Sequence, residues 1–155
     1  MFRKFLLLAT AVLACTACQT EDEPFSYDQV GYTGTLTVRA LAGDTHYEFS
    51  DRNFDLTQDS DGKIVLWMYD TQFVPMMPRM TMVVPGLAVE GSSPRFALRG
   101  DAIIPYYRDG EDLLPMDASR RIDDFEAELD TQEGSLAVTF VCMGFRVGYA
   151  GTQIK

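Results

Sequence analysis

Asp124-Phe125-Glu126-Ala127-Glu128-Leu129-Asp130 alternates acidic and apolar side chains residue by residue. Successive side chains of an extended strand point to opposite sides, whereas a helix would scatter these carboxylates around its circumference. The stretch reads as a strand with a dry face of Phe125, Ala127 and Leu129 and a wet, acidic face. The same period of two recurs outward from it. Leu36, Val38 and Ala40 alternate with Thr35, Thr37 and Arg39, and Ile64, Leu66 and Met68 alternate with Val65, Trp67 and Tyr69. Residues 136–145 are apolar on both faces, which predicts a strand whose second face is also covered. Turn signals separate these runs: Gly43-Asp44, Asp61-Gly62, Gly91-Ser92-Ser93, Asp109-Gly110 and Glu133-Gly134. Outside the first seventeen residues no apolar stripe keeps helical spacing, and Pro75, Pro78, Pro85, Pro94, Pro105 and Pro115 interrupt most candidates. The expected fold is an antiparallel all-β domain, either a sandwich or a closed barrel; only the barrel removes exposed edges.

The N-terminal stretch states an address. Arg3 and Lys4 precede the apolar run Phe5-Leu6-Leu7-Leu8-Ala9-Thr10-Ala11-Val12-Leu13-Ala14, too short to span a bilayer as a helix and followed by small residues and cysteines. Val12-Leu13-Ala14-Cys15 and Cys15-Thr16-Ala17-Cys18 both resemble the bacterial lipobox. Cys18 is preferred over Cys15 because Gln19-Thr20-Glu21-Asp22-Glu23 resembles the acidic tag that sends lipoproteins of the Bacteroidetes to the outer face of their outer membrane. The expected organisation is a lipoprotein signal peptide at 1–17, an acidic tether at 18–29 and one domain at 30–155. Multiple acyl chains on one cysteine anchor stably, since each buried methylene contributes about 0.8 kcal/mol. The expected location is the outer membrane, lipid-anchored and surface-exposed, with the periplasmic face as the alternative.

Charge excludes one class of partner. The 155 residues carry thirteen basic and twenty-three acidic side chains. Removing Arg3 and Lys4 with the signal leaves a formal charge of about −12 on the mature chain, which argues against nucleic acid. The remaining length suits one domain with a sizeable core. With Cys18 lipidated, Cys142 has no intrachain partner in an oxidising compartment and is expected buried and reduced.

Four segments carry a family resemblance: Phe73-Val74-Pro75-Met76-Met77-Pro78, then Met82-Val83-Val84-Pro85-Gly86, then Gly100-Asp101-Ala102-Ile103-Ile104-Pro105, and the ending from Val141-Cys142 to Tyr149-Ala150-Gly151-Thr152. Together they resemble the calycin-like (lipocalin-like) lipoproteins of gut and oral Bacteroidetes, over roughly residues 30–153. The resemblance implies a single up-and-down antiparallel β-barrel of about eight strands. Arg79 stands directly after Met77-Pro78, and Gly31-Tyr32-Thr33-Gly34 replaces the lipocalin Gly-x-Trp signature, so lipocalin-type ligand binding is not carried over.

An eight-stranded barrel holds either packed side chains or one small ligand. Trp67, Tyr69, Phe73, Tyr106 and Tyr107 are the candidates for lining a cavity or forming a sugar-stacking platform, with ordinary barrel packing as the alternative. Catalysis finds no constellation: His46 lies between Thr45 and Tyr47 with no serine or cysteine motif, and one histidine with one thiol cannot build a zinc site. Asp59-Ser60-Asp61-Gly62 is similar to part of a calcium loop but lacks its distal glutamate, and reads as a hairpin turn. The four methionines Met76, Met77, Met80 and Met82 read as core filling rather than a copper(I) site. Arg99-Gly100-Asp101 lies between Phe96-Ala97-Leu98 and Ala102-Ile103-Ile104, where Gly-Asp reads as a turn or bulge rather than an integrin motif. No enzyme, cofactor or metal is expected. The expected role is a non-catalytic module binding a small apolar ligand or a glycan, or mediating an interaction; the alternative is a packed barrel that docks another envelope component.

Overall fold

A computed structural model describes residues 29–154. The export segment, Cys15, Cys18 and the acidic stretch lie outside the described residues. The elements are β1 (Gln29–Ala40), β2 (His46–Gln58), β3 (Ile64–Thr71), β4 (Met80–Ser92), β5 (Arg95–Gly100), β6 (Tyr106–Asp109), β7 (Asp112–Pro115), one 3₁₀ turn (Ala118–Arg120), β8 (Asp123–Asp130), β9 (Ser135–Cys142) and β10 (Phe145–Gln153). All pairings are antiparallel. Strands β1 to β5 and β8 to β10 form a meander, and the pairing of β1 with β10 closes it into an eight-stranded barrel. The hairpin β6–β7 is inserted between β5 and β8. It fills the edge of β4 that the short β5 leaves open, with Met82 opposite Tyr107 and Val83 opposite Tyr106.

The inward faces follow the alternation read from the sequence. Leu36 and Val38 on β1, Ile64, Leu66 and Met68 on β3, and Phe125, Ala127 and Leu129 on β8 are all buried in one continuous cluster. Phe54 stacks on Tyr149 with ring centroids 3.7 Å apart, and Phe125 stacks on Phe140 at 6.0 Å. A barrel of this strand number is just wide enough for such side chains to fill it. One end is sealed by the 72–79 segment between β3 and β4. Its Phe73, 1% exposed, packs against Phe140 and Phe145. Whether the barrel is hollow or filled is thereby answered: the inward side chains occupy it.

Three expectations need correction. Residues 136–145 are not one strand with two covered faces; β9 ends at Cys142, and Met143 and Gly144, at φ 51° and 79°, turn the chain back into β10. The turn carries methionine where a type I′ hairpin usually has Asn or Asp, so composition hid it. The outer residues Ala137 and Thr139 are exposed, because small side chains score as apolar without needing cover. The methionines also part company. Met82 is buried and Met77 is partly buried against the core, whereas Met76 is 96% exposed.

Bulges change the parity of several strands. In β2, Tyr47 and Phe49 lean inward before the irregularity at Ser50-Asp51, and Arg52, Phe54 and Leu56 point inward after it. The extra residue, Asp51 at φ 55°, shifts the inward set by one. This places Arg52 inside, 9% exposed, with Phe49 against its guanidinium at 5.4 Å. Its Nη1 donates to the Ser50 carbonyl and its Nη2 to Gln72 Oε1, while Nε has no acceptor. Gln72 in turn donates through Nε2 to the carbonyls of Val74, Pro75 and Met77, which holds the sealing segment in place.

Two stability predictions follow from these contacts. A Cβ at Gly34 would sit 2.0 Å from the Ala150 carbonyl oxygen on the closing strand, so Gly34→Ala costs at least about 3 kcal/mol in urea melts, the upper end of overpacking. Gln72→Ala removes a donor from three carbonyls, of which Val74's keeps the Met77 amide, and costs about 1–3 kcal/mol, whereas Arg52→Met removes a buried charge that has no carboxylate partner among the described residues and stays within about 1 kcal/mol of the parent. A larger loss from Arg52→Met than from Gln72→Ala would contradict this account of the seal.

Candidate functional site

With the interior filled, chemistry available to a partner lies on the outer wall. Odd-numbered residues of β3 point outward, which sets Trp67 and Tyr69 side by side on the surface, both half-buried. Cross-strand register extends the row. Trp67 lies opposite Asp55 on β2 and Val83 on β4, and Val83 lies opposite Tyr106 on the inserted hairpin. Val83 is 3% exposed although it faces outward, because the aromatic residues on either side cover it. Three of the five aromatic candidates therefore share one outer face.

The other two do not. Phe73 is a plug residue of the core, as described above. Tyr107 points to the opposite side of β6 from Tyr106 and packs against the barrel interior, where with Met80, Met116 and Arg120 it borders a separate end groove of about 470 Å³. Alternation explains the split: adjacent Tyr106 and Tyr107 in a strand must face opposite ways.

Hydrogen bonds hold the outer rings still. Trp67 Nε1 donates to Thr57 Oγ1 at 2.9 Å. Tyr69 donates through its hydroxyl to Asp55 Oδ2 at 3.0 Å, and the same oxygen accepts Gln29 Nε2 at 2.8 Å. Arg108 lies with its guanidinium over the Trp67 ring, 5.5 Å from the centroid, and has no carboxylate within ion-pair distance among the described residues. Burial, reinforced by the bond to Asp55 and by that residue's charge, pushes the Tyr69 phenol up to about 12, with Arg108 pulling weakly the other way. The face thus combines rigid apolar rings with one fixed carboxylate and one guanidinium.

Arg108 and Asp55 are functional candidates that sequence reading missed. Arg108 had a signal, since it stands two residues from Tyr106 in a strand and must share its face. Asp55 had none, because only the register of β2 against β3 brings it beside Trp67.

Elsewhere on the described surface several charges pair with one another. A groove of about 520 Å³ runs over β5, β8 and β9, floored by Ala97 and Ala137. Around it Arg95 pairs with Asp130, and Arg99 pairs with both Glu90 and Glu126. Arg99 and Gly100 close β5, and Asp101 stands in the bend that follows, where it accepts the Asp124 amide. Asp124, Glu126 and Glu128 face solvent, as their alternation implied. Asp59 Oδ1 accepts the amides of Asp61 and Lys63, which makes Asp59-Ser60-Asp61-Gly62 a hairpin turn. His46 is exposed beside the Asp44 carbonyl. Cys142 is buried, its Sγ–H donating to the Arg120 carbonyl, and burial pushes its thiol up to about 11. Among the described residues no group of three or more histidine, cysteine or acidic side chains is placed to hold a metal ion.

The Tyr69 bond has a readable pH signature. A tyrosine whose pKa is raised on folding contributes stability that is complete below about 10, its unfolded value, and is lost as pH rises toward 12. Ultraviolet difference titration should show Tyr69→Phe removing one late-titrating phenol, buried Tyr149 remaining as another, and Asp55→Asn lowering the Tyr69 phenol part of the way, since burial is the larger cause of its rise. An unchanged late phase in Tyr69→Phe would assign the shift to another tyrosine.

Comparison with protein-family models, with curated proteins and with solved structures finds no match, so the reading of this face rests on its own chemistry.

Proposed function

We propose that this chain is a lipid-anchored envelope lipoprotein, anchored through Cys18 or else Cys15, whose calycin-like barrel is a non-catalytic binding module acting through its outer wall. The observation that carries the reading is the filled interior: inward side chains, with Phe73 as plug, leave recognition to the surface. The aromatic face of Trp67, Tyr69 and Tyr106 is the recognition surface. Its polar groups favour binding over chemistry, since the hydroxyl–carboxylate pair there, Tyr69 with Asp55, carries a phenol pushed up to about 12 that stays protonated at neutral pH.

The chain's entry point orients the barrel. Gln29 begins β1 at the same end as the 59–63 and 131–134 turns and the close of β10, where Ile154 N–H donates to the Gly31 carbonyl. The sealed end, with the 72–79 segment and the 143–144 turn, is opposite. On this reading an anchor ahead of residue 29 attaches at the first end, and the sealed end and the hairpin tip lie at the far end of the barrel from it. Exposed Met76, Leu113 and Leu114 near that far end favour the second reading, docking of another envelope component through a packed barrel.

Native mass spectrometry of residues 19–155, purified from a bacterial host, tests the outer-wall reading. The expected result is a bare chain whose native and denatured masses agree. A copurified small molecule lost on denaturation, and retained when Trp67 and Tyr106 are both replaced by alanine, would mean an interior ligand and would overturn it.

A further inference from the structure

The outer face is short of partners in a specific way. Arg108 has donors in its plane and, among the described residues, no acceptor other than the π-face beneath it. Asp55 receives Gln29 and Tyr69 on Oδ2, and its Oδ1 lies over Gly31, where an added Cβ would come within 3.0 Å of it. No hydrogen bond to Oδ1 is formed by the described residues. A free guanidinium edge and a free carboxylate oxygen therefore flank rings that are already locked, Trp67 by Thr57 and Tyr69 by Asp55.

From this arrangement we propose that the face is a platform for a neutral glycan, with sugar rings stacked on Trp67 and Tyr106 and hydroxyls bridging Arg108 and Asp55. The proposal rests on the outer-wall reading and names its ligand. Three observations select a neutral polyhydroxylated ligand. The apolar faces of pyranose rings match indole and phenol surfaces, which supply large, rigid contact area at low entropic cost. Hydroxyls both donate and accept, so a polyhydroxylated ligand offers an acceptor to Arg108 and a donor to Asp55, whereas an anion meets the carboxylate and a cation the guanidinium with like charge. The charges of the face cancel, and those of the neighbouring hairpin tip, Asp109, Glu111 and Asp112, repel acidic polymers from that side. On binding, Arg108 exchanges the indole face for sugar hydroxyls, an exchange that a solvent-exposed cation–π contact resists only weakly. Because the Trp67 ring is fixed beforehand by Thr57, little ordering of that side chain opposes association.

Trp67 is the chain's one tryptophan, so its emission reports from the proposed platform alone. The experiment titrates residues 19–155 with neutral polysaccharides (xylan, mannan, a β-glucan) and acidic ones (polygalacturonate, heparin), following Trp67 emission and, for variants, calorimetry at two salt concentrations. The expected result is saturable binding of at least one neutral polymer, insensitive to salt, weakened at least tenfold by Trp67→Ala and at least threefold by Tyr106→Ala and by Arg108→Gln. Unchanged melting temperatures of the variants separate lost contact from lost fold. Binding confined to the acidic polymers and abolished by salt would overturn the neutral-glycan assignment. Absence of binding to every polysaccharide would overturn it too. In both cases a bare native mass leaves the outer-wall reading standing, whereas a retained interior ligand removes both.

Discussion

Closure is the constraint on which everything else depends. β1 and β10 pair over nine residues, from Tyr32 opposite Gln153 to Ala40 opposite Phe145, and without that ladder the eight strands would be an open sheet with two sticky edges. The pairing demands close approach at Gly34, where the backbone of Ala150 and Gly151 leaves no room for a side chain. Closing the sheet at this strand number also fixes the interior volume. Leucine, phenylalanine and methionine side chains fill that volume, so the barrel behaves as a core wrapped in one sheet rather than as a container.

A filled interior moves the interesting chemistry to two places. At the sealed end, Arg52 is carried inside by a bulge and, among the described residues, meets neutral partners, the Ser50 carbonyl and the Gln72 amide, plus the Phe49 ring. Burying a charge without a counter-ion is costly, and the same residue organises Gln72, which ties three carbonyls of the plug. On the outer wall, the inserted hairpin β6–β7 brings Tyr106 and Arg108 onto the face already occupied by Trp67 and Tyr69. Without the hairpin, Val83 would be a bare apolar residue on the exposed edge of β4.

Much of the fold was legible because strand periodicity is a local property. Phe125, Ala127 and Leu129, or Ile64, Leu66 and Met68, declare their buried side by alternation alone, and Asp61-Gly62 or Asp109-Gly110 declare their turns by composition. The illegible parts share a cause, a single residue that breaks local parity or chemistry. Asp51 shifts the inward set of β2, so Arg52 reads as surface and is core. Met143-Gly144 turns the chain without a polar signal. Ala137 and Thr139 count toward an apolar run although neither needs cover.

For the candidate site, the sequence by itself determined that Trp67 and Tyr69 share a face and that Tyr106 and Tyr107 cannot. These conclusions need only the period of a strand. Only the tertiary structure decided that Asp55, Trp67, Val83 and Tyr106 form one row, that Phe73 is a plug and that the barrel is full. Register between strands distant in sequence, and the volume that closure encloses, are properties of the whole sheet, and no segment of the chain contains them.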